Sequence, residues 1–180
     1  MTSTYHLVTL GCPKNQVDSD KLAGTLTADG MRAVKDADEA DLIVVNTCAF
    51  IDEARRESID TVLALADERQ DGARLVVTGC MAERYGDELA EALPEVDRVT
   101  GFGVPVTLGY KPTPGAEPGR TSTFDLLNLP RPASERPWAY VKVAEGCDRA
   151  CGFCAIPTFR GPQRSRTMDD VLAEVDALDA

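Results

Sequence analysis

Short apolar runs alternate with longer amphipathic segments over residues 5–99, and no other feature of the 180-residue chain constrains its fold as strongly. Strands that alternate with helices are typical of a parallel sheet with helices on both faces. The runs are almost entirely apolar, as strands buried on both faces require. We therefore predict an α/β fold, with a three-layer domain whose parallel strands cover residues 5–10, 41–45, 74–77 and 96–99.

Amphipathic segments separate the predicted strands and are expected to form helices. The first begins at about Asp18, whose side chain can cap free amide groups, and ends at Gly30. The second covers residues 52–69, where apolar side chains recur at helical spacing. The third covers residues 83–93 and stops at Pro94, since proline cannot continue a helix.

Composition changes over residues 105–137, where seven of the eleven prolines fall. A proline-rich stretch of this kind is typical of a linker between two domains. The second domain is predicted to begin with a strand over residues 138–143 and to contain a helix over residues 168–178. The predicted units are a first domain over 1–117, a linker over 118–132 and a second domain over 133–180.

The chain is acidic overall, with 30 acidic and 19 basic residues and a net charge of −11. Such a field repels phosphate, so it gives no support to nucleic-acid binding and favours a basic protein partner. The charge is unevenly distributed, because residues 131–166 carry seven basic and only three acidic side chains. The cationic part therefore surrounds the last three cysteines of the sequence.

Six cysteines in a chain of this length are too few for a disulfide scaffold and fit a reducing compartment. No apolar stretch approaches the roughly 18 residues of a membrane span, and the N-terminus lacks the features of a secretion signal. We therefore expect a cytoplasmic protein without membrane contact. His6 is the only histidine and lies in a predicted strand. Because the sequence has no other histidine, catalytic triads and the usual histidine-containing zinc sites are not expected.

Cys147, Cys151 and Cys154 form a CxxxCxxC run of eight residues. A loop of this length can bring three thiolates to one small object, and three ligands leave the fourth iron of a cubane cluster open to substrate. The alternatives are a structural zinc site that lacks its fourth ligand, or three unrelated buried thiols. Zinc sites usually have four ligands, and no fourth cysteine or histidine is near in sequence, so an iron–sulfur cluster is favoured.

Cys12, Cys48 and Cys80 are far apart in sequence, yet each follows a predicted parallel strand. The carboxyl ends of parallel strands share one edge, where doubly wound folds bind ligands, so a second site with three thiolates is predicted there. The alternative is that these cysteines are merely small buried residues at strand ends. Small or polar neighbours would allow close backbone approach to the sulfurs, namely Gly11, Asn15, Asn46, Thr47 and Gly79.

The sequence around both triplets resembles the methylthiotransferases, a family of radical S-adenosylmethionine enzymes. The resemblance runs from Tyr5 to the end of the chain and corresponds to the N-terminal portion of that family. Pro13 and Lys14, with the Phe-Ile-Asp that follows the second cysteine, favour the RimO-type branch, which modifies a ribosomal protein, over the branch that modifies tRNA. The segments that carry the resemblance are LGCPKNQVDSD, NTCAFIDEARRESID, VTGCMAERYGDEL and EGCDRACGFCAIPTFRG.

The resemblance implies that residues 1–117 form the family's cluster domain and that residues 133–180 begin a radical S-adenosylmethionine core, a partial (βα) barrel. It also implies two [4Fe–4S] clusters, with adenosylmethionine bound at the open iron of the second. One adenosylmethionine would yield the radical that removes a hydrogen from the substrate, and another would methylate the sulfur held at the first cluster. No acid–base side chain is implied. The implied ligands are Cys12, Cys48 and Cys80 for the first cluster and Cys147, Cys151 and Cys154 for the second.

The implied activity is methylthiolation of the β-carbon of an aspartate in the twelfth small-subunit ribosomal protein, free or on the ribosome, with an external electron donor. A tRNA (adenosine) methylthiotransferase and a non-catalytic iron–sulfur or zinc module are the alternatives. The family continues through the rest of the barrel and a C-terminal substrate-binding module. We therefore expect the 180-residue chain not to turn over by itself.

Three arginines, Arg160, Arg164 and Arg166, follow the second cysteine triplet. They could face the carboxylate of adenosylmethionine or an acidic substrate. Arginine is nevertheless seldom buried, and arginines beside a loop more commonly form a solvated rim. A solvated rim is therefore the prediction for this segment.

Overall fold

The computed structural model describes residues 2–108, 125–133 and 136–179. Residues 118–124 of the predicted linker lie outside the described residues, and so does the predicted domain boundary at residue 117. The described part of the chain contains one parallel sheet with helices on both faces, followed by a smaller segment that packs against the first helix.

The sheet has five parallel strands in the order β2-β1-β3-β4-β5. This arrangement confirms the predicted α/β fold with a parallel sheet. Helices connect the long strands, as parallel neighbours require. The elements are β1 (Thr4–Thr9), α1 (Pro13–Ala28), β2 (Arg32–Ala33), β3 (Leu42–Thr47), α2 (Asp52–Glu68), β4 (Arg74–Gly79), α3 (Cys80–Ala92) and β5 (Arg98–Val99).

The central strand β3 is buried along its whole length because both of its faces are covered. Ile43 and Val45 point into a core that includes Val62 of α2, whereas Val44 points to the other face and into a core with Leu22 of α1. Alternate residues of one strand thus enter two different apolar layers. The predicted three-layer arrangement is the result.

Two helices begin earlier than the sequence pattern indicates. Helix α1 begins at Pro13, because proline at the first helical position has a favourable φ and needs no amide partner there. Helix α3 begins at Cys80 and is kinked at Gly86, whose φ is +38°. Consequently Cys12 immediately precedes α1 and Cys80 opens α3, so both cysteines lie at helix N-termini.

The second segment contains β6 (Ala144–Glu145), α4 (Ile156–Arg160), β7 (Arg164–Ser165) and α5 (Met168–Leu178), the last with the predicted bounds. The predicted strand over residues 138–143 is wrong. Lys142 in this stretch is buried against α1, Trp138 and Tyr140 are half exposed, and regular pairing begins only at β6, which pairs antiparallel with β7. The parallel βα barrel is not seen among the described residues and stays a prediction. No helix in the described ranges is both long enough and apolar enough to cross a membrane.

Candidate functional site

Cys12, Cys48 and Cys80 lie at the same edge of the sheet, after β1, β3 and β4 respectively. Gly11 has a φ of +89°, and a Cβ at this position would be 2.8 Å from Cys48 Sγ, so the first two loops touch. Cys48 and Cys80 are buried, whereas Cys12 is exposed. The structure thus brings the three loops of the first predicted triplet to one edge, with Cys12 on the solvent side.

Asn15 connects these loops from within the first turn of α1 and is fully buried. Its Nδ2 donates to Leu10 O at 2.8 Å and to Thr47 O at 3.0 Å, in the loops that follow β1 and β3. Its Oδ1 lies 3.5 Å from Cys80 Sγ after β4. One side chain therefore fixes the relative positions of all three cysteine loops.

Gly79 allows the closest backbone approach at this edge. Its φ of +94° favours glycine, and a Cβ would lie 2.3 Å from Asn46 Oδ1 and 2.6 Å from Thr47 O. We expect Gly79→Ala to lower the free energy of unfolding by at least about 2 kcal/mol. The added Cβ would overlap the backbone of Thr47, which must then move. Urea unfolding of the metal-free chain measures the change.

Gly72 is the matched control for this substitution. Its φ is +86°, but a Cβ there would meet no atom within 4 Å. Gly72→Ala should therefore cost only the conformational penalty, about 1 kcal/mol. Equal losses in the two variants would show that the crowding at Gly79 has no energetic effect.

The Cys80 thiol is held in a buried, hydrogen-bonded position. Burial raises the pKa of Cys80 from 9.0 to about 11, and the positive charge of Arg160 partly opposes this rise. The neighbouring thiols of Cys48 and Cys12 raise the same pKa further. Cys80 is therefore a protonated thiol in the metal-free chain, and a metal that binds its thiolate must displace that proton.

Arg160 does not belong to a solvated rim, and the prediction for this residue is wrong. Only 7% of Arg160 is exposed, and its guanidinium lies 4.2 Å from the ring centre of Phe102. Arg166 also has a buried side chain, which pairs with Glu174. Arg164 is the one exposed arginine of the three, as predicted.

The side chain of Arg160 enters a buried charge cluster, which we call the Asp18 cluster and which comprises Asp18, Lys142, Glu145 and Arg160. Asp18 accepts hydrogen bonds from Lys142 Nζ and, at 2.7 Å, from Arg160 Nη1. Glu145 lies 2.7 Å from Lys142 Nζ and 2.9 Å from Arg160 Nη1. Although burial opposes it, the two cations lower the pKa of Glu145 to about 2. Two carboxylates and two cations thus join the second segment to α1.

A second polar contact lies further along α1. Lys21 is fully buried, and its Nζ donates to Leu127 O at 2.5 Å and lies 3.6 Å from Glu174 of α5. Burial lowers the pKa of Lys21, whereas Glu174 opposes that effect. The predicted second domain therefore contacts α1 through paired charges, whereas Phe159 of α4 is buried in the apolar core beside α3.

Cys147, Cys151 and Cys154 occupy the loop between β6 and α4. Cys147 N donates to Gly161 O at 3.1 Å, and Cys154 N donates to Cys151 O at 3.1 Å. Cys151 is exposed, and the other two cysteines are partly buried. The loop is thus anchored by backbone hydrogen bonds at both ends and open to solvent in the middle. Within the described ranges, no three His, Cys, Asp or Glu side chains form a ready site for a single metal ion.

The chemistry of the donors fits an iron–sulfur cluster at each triplet. All the predicted ligands are thiols, and thiolates select zinc, copper(I) and iron–sulfur clusters. Around the first triplet, Gly11 and Gly79 keep the backbone close to the cysteines. Backbone near sulfur is where amide hydrogen bonds can tune a cluster.

Sequence reasoning missed two participants in this region. The sequence pattern predicts Asp18 as a helix cap, but α1 begins before it and its carboxylate is buried in the Asp18 cluster. Arg160 lies 142 positions away in sequence, so no local spacing could indicate their contact. The sequence therefore carries no local signal of this contact.

Comparison with known proteins identifies a family and a group of relatives for this chain. The family described as "Uncharacterized protein family UPF0004" matches residues 4–101, which is more than half of the chain, and the chain belongs to that family.

Within curated proteins the chain is similar to those named "Ribosomal protein uS12 methylthiotransferase RimO". It is 46% identical over 182 residues to that of Myxococcus xanthus, covering 97% of this chain and 38% of the relative. It is 43% identical over 172 residues to that of Thermotoga maritima, covering 94% of this chain and 40% of the relative. The resemblance to the RimO-type methylthiotransferases is therefore confirmed, and the chain spans about two fifths of the length of these relatives.

Proposed function

We propose that this chain acts as the N-terminal part of an enzyme that transfers a methylthio group to the β-carbon of an aspartate in ribosomal protein uS12. The observation that carries the proposal is the meeting of Cys12, Cys48 and Cys80 at one edge of the sheet. Relatives named for uS12 methylthiotransfer are similar to almost all of the chain, which supports the same substrate here.

In this proposal each cysteine triplet holds one [4Fe–4S] cluster, and adenosylmethionine binds at the second. When bound, these groups supply one-electron chemistry on adenosylmethionine and a place to hold sulfur for transfer. The chain's own residues provide ligands and exclude water. Cys48 and Cys80 are buried while Cys12 is exposed, so sulfur and substrate would reach the first cluster from the Cys12 side.

Hydrogen bonds hold two of the first three proposed ligands, Cys48 and Cys80, before any metal binds. Cys48 N donates to Ser58 Oγ at 3.1 Å, which fixes the start of the loop after β3. Asn15 and Arg160 both lie within hydrogen-bond distance of Cys80 Sγ. Preorganised ligands lower the entropic cost of binding a cluster.

The acidic surface of the chain suits a basic partner such as a ribosomal protein. The reaction also requires an external electron donor, and a ribosomal substrate places the enzyme in the cytoplasm. Both are part of the proposal.

We expect uS12 from cells that carry the full-length gene to be heavier than uS12 from cells that lack it, by one methylthio group in place of one hydrogen. Mass spectrometry of the intact protein and of its peptides measures the change and locates the aspartate. Complementation with a gene encoding Cys12→Ala, Cys48→Ala and Cys80→Ala should leave uS12 unmodified. Loss of a methylthio group from tRNA adenosine, with uS12 unchanged, would instead assign the enzyme to the tRNA branch.

A further inference from the structure

Arg160 belongs to the segment that follows the second cysteine triplet, yet its side chain lies at the first. It is the last residue of α4, which begins two positions after Cys154. Its Nη2 donates to Cys80 Sγ at 3.2 Å and to Asn15 Oδ1 at 2.6 Å. Nη2 of Arg160 therefore contacts a cysteine of the first triplet and its neighbour Asn15.

The backbone beside Arg160 holds the second triplet. Gly161 O accepts a hydrogen bond from Cys147 N at 3.1 Å. A Cβ at Gly146 would lie 2.1 Å from Pro162 O and 2.5 Å from Gly161 O, so this contact is tight. Residues 160–162 thus touch both cysteine triplets, one through a side chain and the other through the main chain.

The remaining contacts of Arg160 separate its two roles. Nη1 binds the carboxylates of Asp18 and Glu145, at 2.7 and 2.9 Å, whereas Nη2 binds neither of them. Both carboxylates have Lys142 as a second cation. An ion pair alone would not require Nη2 to face a cysteine sulfur. Arginine suits this task because its rigid fork can bond several groups at once.

We propose that Arg160 is a positioning residue that links the two triplets and raises the reduction potential of the cluster held by Cys12, Cys48 and Cys80. The inference rests on the proposed function, since it assumes a cluster at that site. A hydrogen bond and a positive charge at a ligand sulfur stabilise the more negative, reduced form of a cluster. The electron that converts [4Fe–4S]²⁺ to [4Fe–4S]⁺ comes from an added reductant such as dithionite.

The test uses the anaerobically reconstituted 180-residue chain with Cys147→Ala, Cys151→Ala and Cys154→Ala, so that a single cluster remains. A redox titration followed by electron paramagnetic resonance measures its potential. We expect Arg160→Gln to reduce the one-electron equilibrium constant about tenfold, a fall of about 59 mV. Arg160→Lys keeps the positive charge but loses the branched guanidinium donors. The cluster potential of this variant should lie between those of the parent and of Arg160→Gln.

Arg164→Gln is the matched control, because Arg164 is four positions away and exposed. It should leave the equilibrium constant within about twofold of the parent, since solvent screens exposed charges. Asp18→Asn with Arg160→Gln removes one charge of each sign and guards against misfolding from an unbalanced carboxylate. This double variant should show a fall in the same direction but smaller than that of Arg160→Gln, because loss of the Asp18 carboxylate offsets part of the lost positive charge.

The possible failures are distinguishable. A parent chain that binds no iron and sulfide would contradict the proposed function itself. A parent that binds a cluster whose potential is unchanged in Arg160→Gln and in the double variant would overturn only the role of Arg160. A fall of equal size in Arg164→Gln would also overturn it, because the effect would then be one of overall charge.

Discussion

Replacing Cys12, Cys48 and Cys80 together by alanine is expected to halve the iron and acid-labile sulfide of the reconstituted chain, from about eight to about four of each. The cluster at this triplet should be lost completely, because a cubane left without protein thiolates dissociates. Iron and sulfide analysis after anaerobic reconstitution, with zinc determined in the same samples, measures the outcome.

The reciprocal control replaces Cys147, Cys151 and Cys154. It should also leave about four irons, but with the spectrum of the other cluster, and the six-fold variant should retain none. Stoichiometric zinc in place of iron would support the zinc module, since thiolates also select zinc. Iron that persists in full after removal of the first triplet would refute the ligand role of the sheet edge.

The meeting of the first three cysteines at one edge of the sheet could be predicted because it depends only on local sequence features. Cys48 and Cys80 directly follow apolar runs, and the rule that parallel strands end on one side carries the cysteines together. Nothing beyond strand identity and strand direction was needed. The same reasoning supplied the core, since the alternating apolar residues of β3 must fill two layers.

The Asp18 cluster could not be predicted from the sequence because it depends on tertiary packing alone. The contact between Asp18 and Arg160 spans 142 positions, and neither residue stands in a periodic pattern that indicates burial. The stretch over residues 138–143 shows the opposite failure. Its alternation satisfies the local rule for a strand, but Lys142 is drawn into the Asp18 cluster and regular pairing begins only at β6. Strand formation requires a partner as well as a pattern.

Asp18→Ala is expected to lower the free energy of unfolding of the metal-free chain by about 3 to 5 kcal/mol, the cost of breaking a buried ion pair by removing one partner. Only 2% of the Asp18 side chain is exposed, so water cannot replace the lost carboxylate around Lys142 and Arg160. Urea unfolding followed by circular dichroism measures the loss. Asp60→Ala is the control, because Asp60 is an exposed aspartate of α2 and should change stability by less than about 0.5 kcal/mol.

The site of the damage is as informative as its size. Trp138 is the only tryptophan and lies in the segment that the Asp18 cluster ties to α1, so its fluorescence reports on that segment while circular dichroism reports mainly on the sheet domain. If the Asp18 cluster joins the second segment to the sheet domain, Asp18→Ala should move the fluorescence transition to a lower urea concentration than the dichroism transition. Asp18→Asn keeps the shape and loses the charge, and its effect should be smaller. Coincident, unshifted transitions in Asp18→Ala would show that the two cysteine triplets are held together by something other than this buried charge.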